Sequence, residues 1–189
     1  MQVYLDNSAT TQPFPRVVAV MREAMETGWY NPSALYKPAM EAEKRVTAVR
    51  TDCLKAVNAQ GHRMVFTSGG TEADNLAIIG HLRTVRQPVR VLILCVEHPA
   101  VLACEEEIRR LGHRVEEIPV TRQGTADLDW LAAHLDESVR MICCMQVNNE
   151  SGAIQPLEEI VRLRDARCPQ AAIHVDGVQG FLRVPLDFR

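Results

Sequence analysis

Several features that would define a function class by themselves are missing from this sequence. Its six cysteines, at 53, 95, 104, 143, 144 and 168, form no C-x-x-C pair. A chain of 189 residues needs no disulfide scaffold, so they read as free thiols of a reducing cytoplasm. No block of Lys or Arg stands out of a net charge of −3, which argues against a nucleic-acid partner. No apolar run approaches the roughly 20 residues that a membrane-spanning helix needs, so no membrane association is expected. The opening "MQVYLDNSATT" has neither a basic region nor a long apolar one, and it is not expected to be a secretory leader. Low-complexity tracts and internal repeats are also missing. What is left is ordinary for a globular protein: 47% hydrophobic and 24% charged, with length enough for one substantial core.

Two helical patterns come first. In "PFPRVVAVMREAMETGW", Val17, Val20, Met21, Ala24 and Met25 fall on one face; in "AMEAEKRVTAVRTDCLKAV", Ala39, Ala42, Val46, Val49 and Cys53 do. Both stripes are expected to be packing faces. From residue 64 the texture becomes an alternation of strand and helix. "MVFTS", "VLILCV", "RVEEIPV", "VRMICCMQV" and "AAIHV" read as five strands, the third an edge strand because of its charges. Between them lie helical segments, one starting at Pro99 and stopping at Gly112. Cys143 and Cys144 are expected on opposite faces of their strand. Such alternation predicts an α/β fold with a mostly parallel sheet flanked by helices. In sheets of that kind ligands collect beyond the carboxyl ends of the strands.

Those ends carry most of the polar chemistry. "TSGGTEADN" follows the first strand, and its glycines allow close backbone approach. Thr71 followed by Asp74 resembles a capping box opening a helix, which makes an anion site; an ordinary glycine turn with an N-cap accounts for the same residues. After the second strand, His98 precedes a helix start, where a capping histidine is equally at home. Cys95 and His98 have a metal-like gap, but no second pair accompanies them, so no metal is expected. Asn148, Asn149 and Glu150 crowd the fourth strand's end, where turn chemistry explains them too. Asp176 and Gln179 follow the fifth strand; an isolated acid there fits an N-cap or a metal ligand as readily. Taken together, an anion cradle, an imidazole, amides and a carboxylate fit a planar, phosphorylated, cationic heterocycle. A carboxylate beside its ring nitrogen would keep that nitrogen protonated and the ring an electron sink.

In chain order, "YLDNSATT", "NPSALY", "FTSGGTEADNLAI", "EHPAV", "QVNNESGAIQP" and "HVDGVQG" resemble the cysteine desulfurases, pyridoxal phosphate enzymes of the class V aminotransferase group. The likeness spans essentially the whole chain. It distinguishes the group better than it separates a desulfurase from a selenocysteine lyase or a related carbon–sulfur lyase. It implies the large-domain architecture of the fold type I pyridoxal phosphate transferases, with residues 1–14 as an N-terminal arm and 15–189 as an incomplete large domain. In the sheet it implies, the second strand lies between the third and the fourth, and the fifth lies beside the fourth. By position, Gly70 and Thr71 would hold the cofactor phosphate, and His98 would stack on the ring and move protons. Asp176 would pair with the ring nitrogen and Gln179 with the ring hydroxyl. Asn149 would contact the amino-acid substrate, cysteine, while Asn7, Ala9 and Thr10 would lie near its entrance.

The sequence also departs from the family. Tyr36 stands where a histidine is usual, and Ala39 where a glycine is. The lysine of the Schiff base is expected in a Ser-x-His-Lys stretch a few tens of residues after "HVD"; this chain has only Lys37, Lys44 and Lys55. The nucleophilic cysteine and the carboxylate-binding arginine are expected later still. The chain therefore reads as a part of a larger product, inactive alone, with a first strand lacking its neighbour and an open edge at "AAIHV". Two functions follow. One is a cysteine desulfurase, converting cysteine to alanine and an enzyme persulfide for iron–sulfur cluster assembly, with a homodimer and a sulfur-acceptor protein as partners. The other is a non-catalytic homologue that pairs with a complete one.

Overall fold

The computed structural model describes residues 3–185; residues 1–2 and 186–189, the outer limits of the two expected segments, lie outside the described residues. The chain divides into two compact units, residues 1–65 with 184–189, and residues 66–183.

The first unit is helical. α1 (Pro15–Thr27) starts on a proline, whose missing N–H is one that any helix start leaves unpaired, and it ends at Gly28, whose N–H bonds the Ala24 carbonyl. α2 (Lys37–Ala56) carries Pro38 in its first turn. The two apolar stripes differ. On α2, Ala39 is buried and Ala42, Val46 and Cys53 are half-buried, whereas Val49 is exposed. On α1 no residue is buried: Val17, Val20, Met21 and Met25 are 46%, 51%, 57% and 69% exposed. The packing role expected of the α1 stripe is thus corrected, because nothing described in its own unit lies across it. Tyr36 meets the ring of Tyr30 edge-on at 6.2 Å, and Tyr30 in turn stacks on Trp29 at 4.4 Å. In the arm, the Tyr4 hydroxyl lies 2.8 Å from the Asp6 carbonyl and 3.2 Å from that of Thr10, closing a turn through residues 7–9.

The second unit holds α3 (Gly70–Leu82), β1 (Arg90–Leu94), α4 (Pro99–Leu102), α5 (Cys104–Arg110), β2 (Arg114–Ile118), α6 (Leu128–His134), β3 (Val139–Cys143), α7 (Leu157–Arg167) and β4 (Ala172–His174). The sheet order is β2-β1-β3-β4 and every pairing is parallel. This is the order expected for the second to fifth strands, with charged β2 at one edge and β4 at the other.

Side-chain alternation turns the sheet into the middle of three layers. Val91, Ile93, Met141 and Cys143 pack with Ile78, Leu82, Val101 and Ile108 of α3, α4 and α5. Leu92, Leu94, Ile142 and Cys144 pack with Leu131 and Ile160 of α6 and α7. Cys143 and Cys144 therefore part to opposite faces, as the two-residue period requires. Burial pushes both thiols well up, so neither is a ready nucleophile. α5 stops before Gly112, whose φ of +88° only glycine adopts without strain. α6 opens on Asp127, whose carboxylate accepts the Trp130 N–H.

One expected strand does not form. Residues 64–68 join no ladder among the described strands, and Val65 and Phe66 are half exposed. A strand exists only through its partner, and no described strand lies beside this segment.

Candidate functional site

The carboxyl ends of the strands meet the start of α3, and hydrogen bonds outside the sheet ladder stitch them together. The N–H of Cys144 bonds the His174 carbonyl at 3.0 Å, and that of Gln146 bonds the Asp176 carbonyl at 2.9 Å. Asn148 donates through Nδ2 to the Val96 carbonyl at 3.0 Å, tying the exit of β3 to that of β1. The Asn148 side-chain oxygen accepts the N–H groups of Glu150 and Ser151 and the Ser151 hydroxyl. Turn chemistry therefore accounts for Asn148. Asn149, the expected substrate contact, follows it half-buried.

The glycine turn leads into α3 differently from the expected capping box. The N-cap is Gly69, and it offers no side-chain cap; Thr71 lies inside the first turn. The Glu72 carboxylate takes over, accepting the N–H and the hydroxyl of Ser68 at 2.7 and 2.6 Å, bonds that hold its pKa below the usual range. Thr71 is exposed, and its hydroxyl has no hydrogen-bond partner among the described residues. Together with the first N–H groups of a 13-residue helix, it forms a cradle suited to a phosphate. Asp74 turns the other way. It shares a helix face with Ile78 and Leu82, is 5% exposed, and lies with Oδ1 3.2 Å from Nε2 of His174 on β4. The angles at that contact do not meet those of a hydrogen bond; with both groups buried, the closeness is what counts.

Asp176 stands two residues beyond His174. It is buried, and its Oδ1 accepts the Val178 N–H at 2.9 Å, which shapes the turn that follows. Val178 reaches α3: a β-carbon added to Gly70 would come within 3.3 Å of its Cγ2. The cradle and the acid thus share one edge of the sheet, joined by the Asp74–His174 and Gly70–Val178 contacts. Gln179 is half-buried, and its side-chain oxygen accepts from Arg183 at 3.2 Å. Gly180 permits a closer approach: a β-carbon there would stand 2.0 Å from Oε1 of buried Gln146.

His98 caps α4, its Nδ1 accepting the Ala100 N–H at 3.1 Å. In the neutral ring the proton then sits on Nε2, and the side chain is exposed at the exit of β1. The structure thus gathers Gly70, Thr71, His98, Asn149, Asp176 and Gln179 at the carboxyl ends of the strands. Asn7, Ala9 and Thr10 belong to the other unit, in the turn that the Tyr4 hydroxyl closes.

The burial of two acids escapes a reading by pattern alone: that of Asp74, which the pattern assigns to a capping box, and that of Glu97. Glu97 is 4% exposed, and its Oε1 accepts the N–H of Met145 in a short hydrogen bond. Burial pushes its carboxyl up to about 8, and Asp176 and Asp74 add to that. The signals were an acid on the Ile78/Leu82 stripe and an acid at the end of an otherwise apolar strand. Among the described residues no cluster of three or more His, Cys, Asp or Glu could hold a metal ion.

A parallel sheet covered on both sides, with an anion cradle and a buried acid at the carboxyl ends of its strands, defines a class of ligand-binding α/β proteins. Within that class the chain belongs to the class-V aminotransferase family, whose model matches residues 3–189. It is 33% identical over 185 residues to the cysteine desulfurase IscS 1 of Archaeoglobus fulgidus, covering 97% of this chain and 48% of that protein. It is 34% identical over 190 residues to the cysteine desulfurase NifS of Azotobacter vinelandii, covering 99% and 46%. Among solved structures, a NifS-like protein superposes with a TM-score of 0.95 at 28% identity, covering 100% of this chain and 52% of that one. A structure described as SspA in complex with cysteine gives 0.83 at 25%, covering 97% and 53%. The chain spans about half the length of the curated relatives it matches. The architecture expected of the pyridoxal phosphate transferases is the one found.

Proposed function

We propose that this chain carries the cofactor-binding part of a cysteine desulfurase and holds pyridoxal 5′-phosphate at the carboxyl ends of its strands. The observation that supports the reading best is the buried carboxylate of Asp176 sharing a sheet edge with the α3 cradle. The residues suit that group. The cradle offers unpaired N–H groups and the Thr71 hydroxyl to a phosphate, and Asp176 offers a carboxylate to a ring N–H.

The cofactor, when bound, supplies an electron sink for bonds at the α-carbon of an amino acid. Everything else falls to protein side chains. Gly70 and Thr71 bind and orient the phosphate. Asp176 would keep a proton on the ring nitrogen, and Gln179 would bond the ring hydroxyl. His98 would stack on the ring and hold or move a proton at Nε2, and Asn149 would contact the substrate, cysteine. Asn7, Ala9 and Thr10 belong to an arm, residues 1–14, at the substrate entrance, ahead of a cofactor-binding domain over 15–189. The sulfur-acceptor protein, a second copy of the chain and a cytoplasmic setting complete the reading. The three lysines all lie on α2, none of them in the Ser-x-His-Lys stretch that the resemblance implies for the Schiff base, and the binding proposed for this chain is non-covalent.

Titration of the purified chain with pyridoxal phosphate, followed by absorbance and equilibrium dialysis, tests this. Saturable binding is expected, weakened roughly 10- to 100-fold by Asp176→Asn and comparably by Thr71→Val, each the worth of one charge-assisted hydrogen bond. Binding that is absent, or indifferent to both substitutions, rejects the site. A longer protein that contains this chain is expected to release alanine from cysteine.

A further inference from the structure

Glu97 is a buried acid that the proposed chemistry leaves unused. One of its oxygens, Oε1, accepts the Met145 N–H. The other, Oε2, is buried without a hydrogen-bond partner among the described residues. Such an oxygen is costly to bury as a bare anion, and far less so when it carries a proton. The next residue along, Gln146, bonds the Asp176 carbonyl through its N–H at 2.9 Å. Glu97 and Asp176 therefore hold consecutive residues of one strand exit, from opposite sides of β3.

We propose that Glu97 is a positioning residue for Asp176, fixing the backbone at Met145 and Gln146 and setting, through the proton on its second oxygen, the charge that Asp176 faces. This rests on the reading of Asp176 as the ring-nitrogen acid. The groups that face Glu97 are few. Asp176 comes from the turn after β4, Asp74 from α3, and the thiols of Cys143 and Cys144 from β3. His174 stands beyond Asp74, and the backbone N–H of His98 works slightly against the rise at Glu97. Three acids and one imidazole leave an excess of negative charge once Glu97 ionises. A proton on Glu97 keeps that excess down, and a cationic ring beside Asp176 would offset it in the same way. When Glu97 ionises its O–H bond breaks, the electron pair stays on the carboxylate and the proton passes to a solvent water.

Carboxyl NMR of the full chain isotopically labelled at aspartate tests the proposal, with Asp176 assigned through Asp176→Asn. In the wild-type protein the Asp176 signal is expected to show a step near pH 8, where Glu97 ionises. In Glu97→Gln, which keeps an acceptor for Met145 and has no proton to lose, the step is gone. Amide exchange at Gln146 gives a second readout: roughly tenfold faster in Glu97→Leu and within about twofold of wild type in Glu97→Gln. A wild-type Asp176 signal without that step overturns the proposal, as does a folded Glu97→Leu whose Gln146 exchanges at the wild-type rate. If Glu97→Leu does not fold, the comparison with Glu97→Gln decides. Both readouts are taken without cofactor. Failure of pyridoxal phosphate to bind would thus reject the proposed function and leave the Glu97–Asp176 coupling standing or falling by itself.

Discussion

The two ends of the sheet treat buried charge in opposite ways. At the amino end, Arg90 of β1 is largely enclosed and is bonded to two acids. Its guanidinium donates to both oxygens of Glu116 at 2.8 and 2.7 Å, to Asp136 at 2.9 Å and to the His134 carbonyl at 2.9 Å. At the carboxyl end, Asp74, Glu97 and Asp176 are buried with one histidine among them and no arginine or lysine bonded to any of the three among the described residues. A fold that needed only stability would have balanced both ends alike. The unbalanced end suits the cationic ring proposed for it.

The two ends should therefore fail at opposite pH, and this is the largest effect expected. At the paired end, hydrogen bonds from Arg90 hold the Glu116 carboxyl below its usual range, and those from Ser138 do so for Asp136. Lowered carboxyls contribute stability that is present at neutral pH and lost as pH falls through the lowered values. Glu97 has the reverse sign. Its carboxyl, raised to about 8 from an ordinary 4.5, keeps a proton in the folded state that the unfolded state gives up. Its contribution is whole below the ordinary value and disappears as pH rises through about 8. A few kcal/mol are at stake, since each tenfold change in proton affinity between the unfolded and folded chain is worth about 1.4 kcal/mol. Chemical denaturation at intervals between about pH 5 and pH 9 should show an alkaline decline that Glu97→Gln flattens. An equal decline in that variant would mean that Glu97 is not its source.

Breaking the paired end comes next in size. Arg90→Leu strips Glu116 and Asp136 of their partner and leaves the His134 carbonyl without its donor. A loss of about 1–2 kcal/mol is expected, limited because both acids keep access to water. The acid limb should flatten in the same variant, since Glu116 would no longer be held low. Urea unfolding at neutral and at acid pH checks both. Full wild-type stability would show that the partnership contributes nothing.

How much of this could be read beforehand depends on whether a residue's fate is local. β1 and β3 are mostly apolar, and a two-faced sheet was written in them, down to the opposed thiols of Cys143 and Cys144. The stop at Gly112 and the cap at Asp127 are equally local. Residues 64–68 have the composition of a strand, but a strand is a relation to a neighbour, which composition does not contain. The stripe of α1 shows the same limit, because periodicity marks a face able to pack without saying what lies across it. At the site, motif order located Thr71, His98, Asp176 and Gln179 at one edge. The burial of Asp74, expected in a capping box, and of Glu97 was not legible, because it follows from strand order. Only with β4 beside β3 does His174 come to Asp74, and only with β1 beside β3 does Glu97 find the N–H of Met145.

The smallest effect sharpens the comparison most. Asp176→Asn keeps an oxygen for the Val178 N–H and removes one charge from the crowded end. At a paired end such a change costs stability. Here it should raise stability by about 0.5–1 kcal/mol near pH 9, where Glu97 is ionised and repelled, and change it little near pH 6, where Glu97 is neutral. The gain should come with the loss of pyridoxal phosphate binding described above, as expected where charge is kept for function at a cost to the fold. Denaturant titrations of the two proteins at both pH values measure it. If Asp176→Asn instead loses as much as Arg90→Leu does, the charge of Asp176 is already balanced within the chain, and the carboxyl end has no room for a cationic ring.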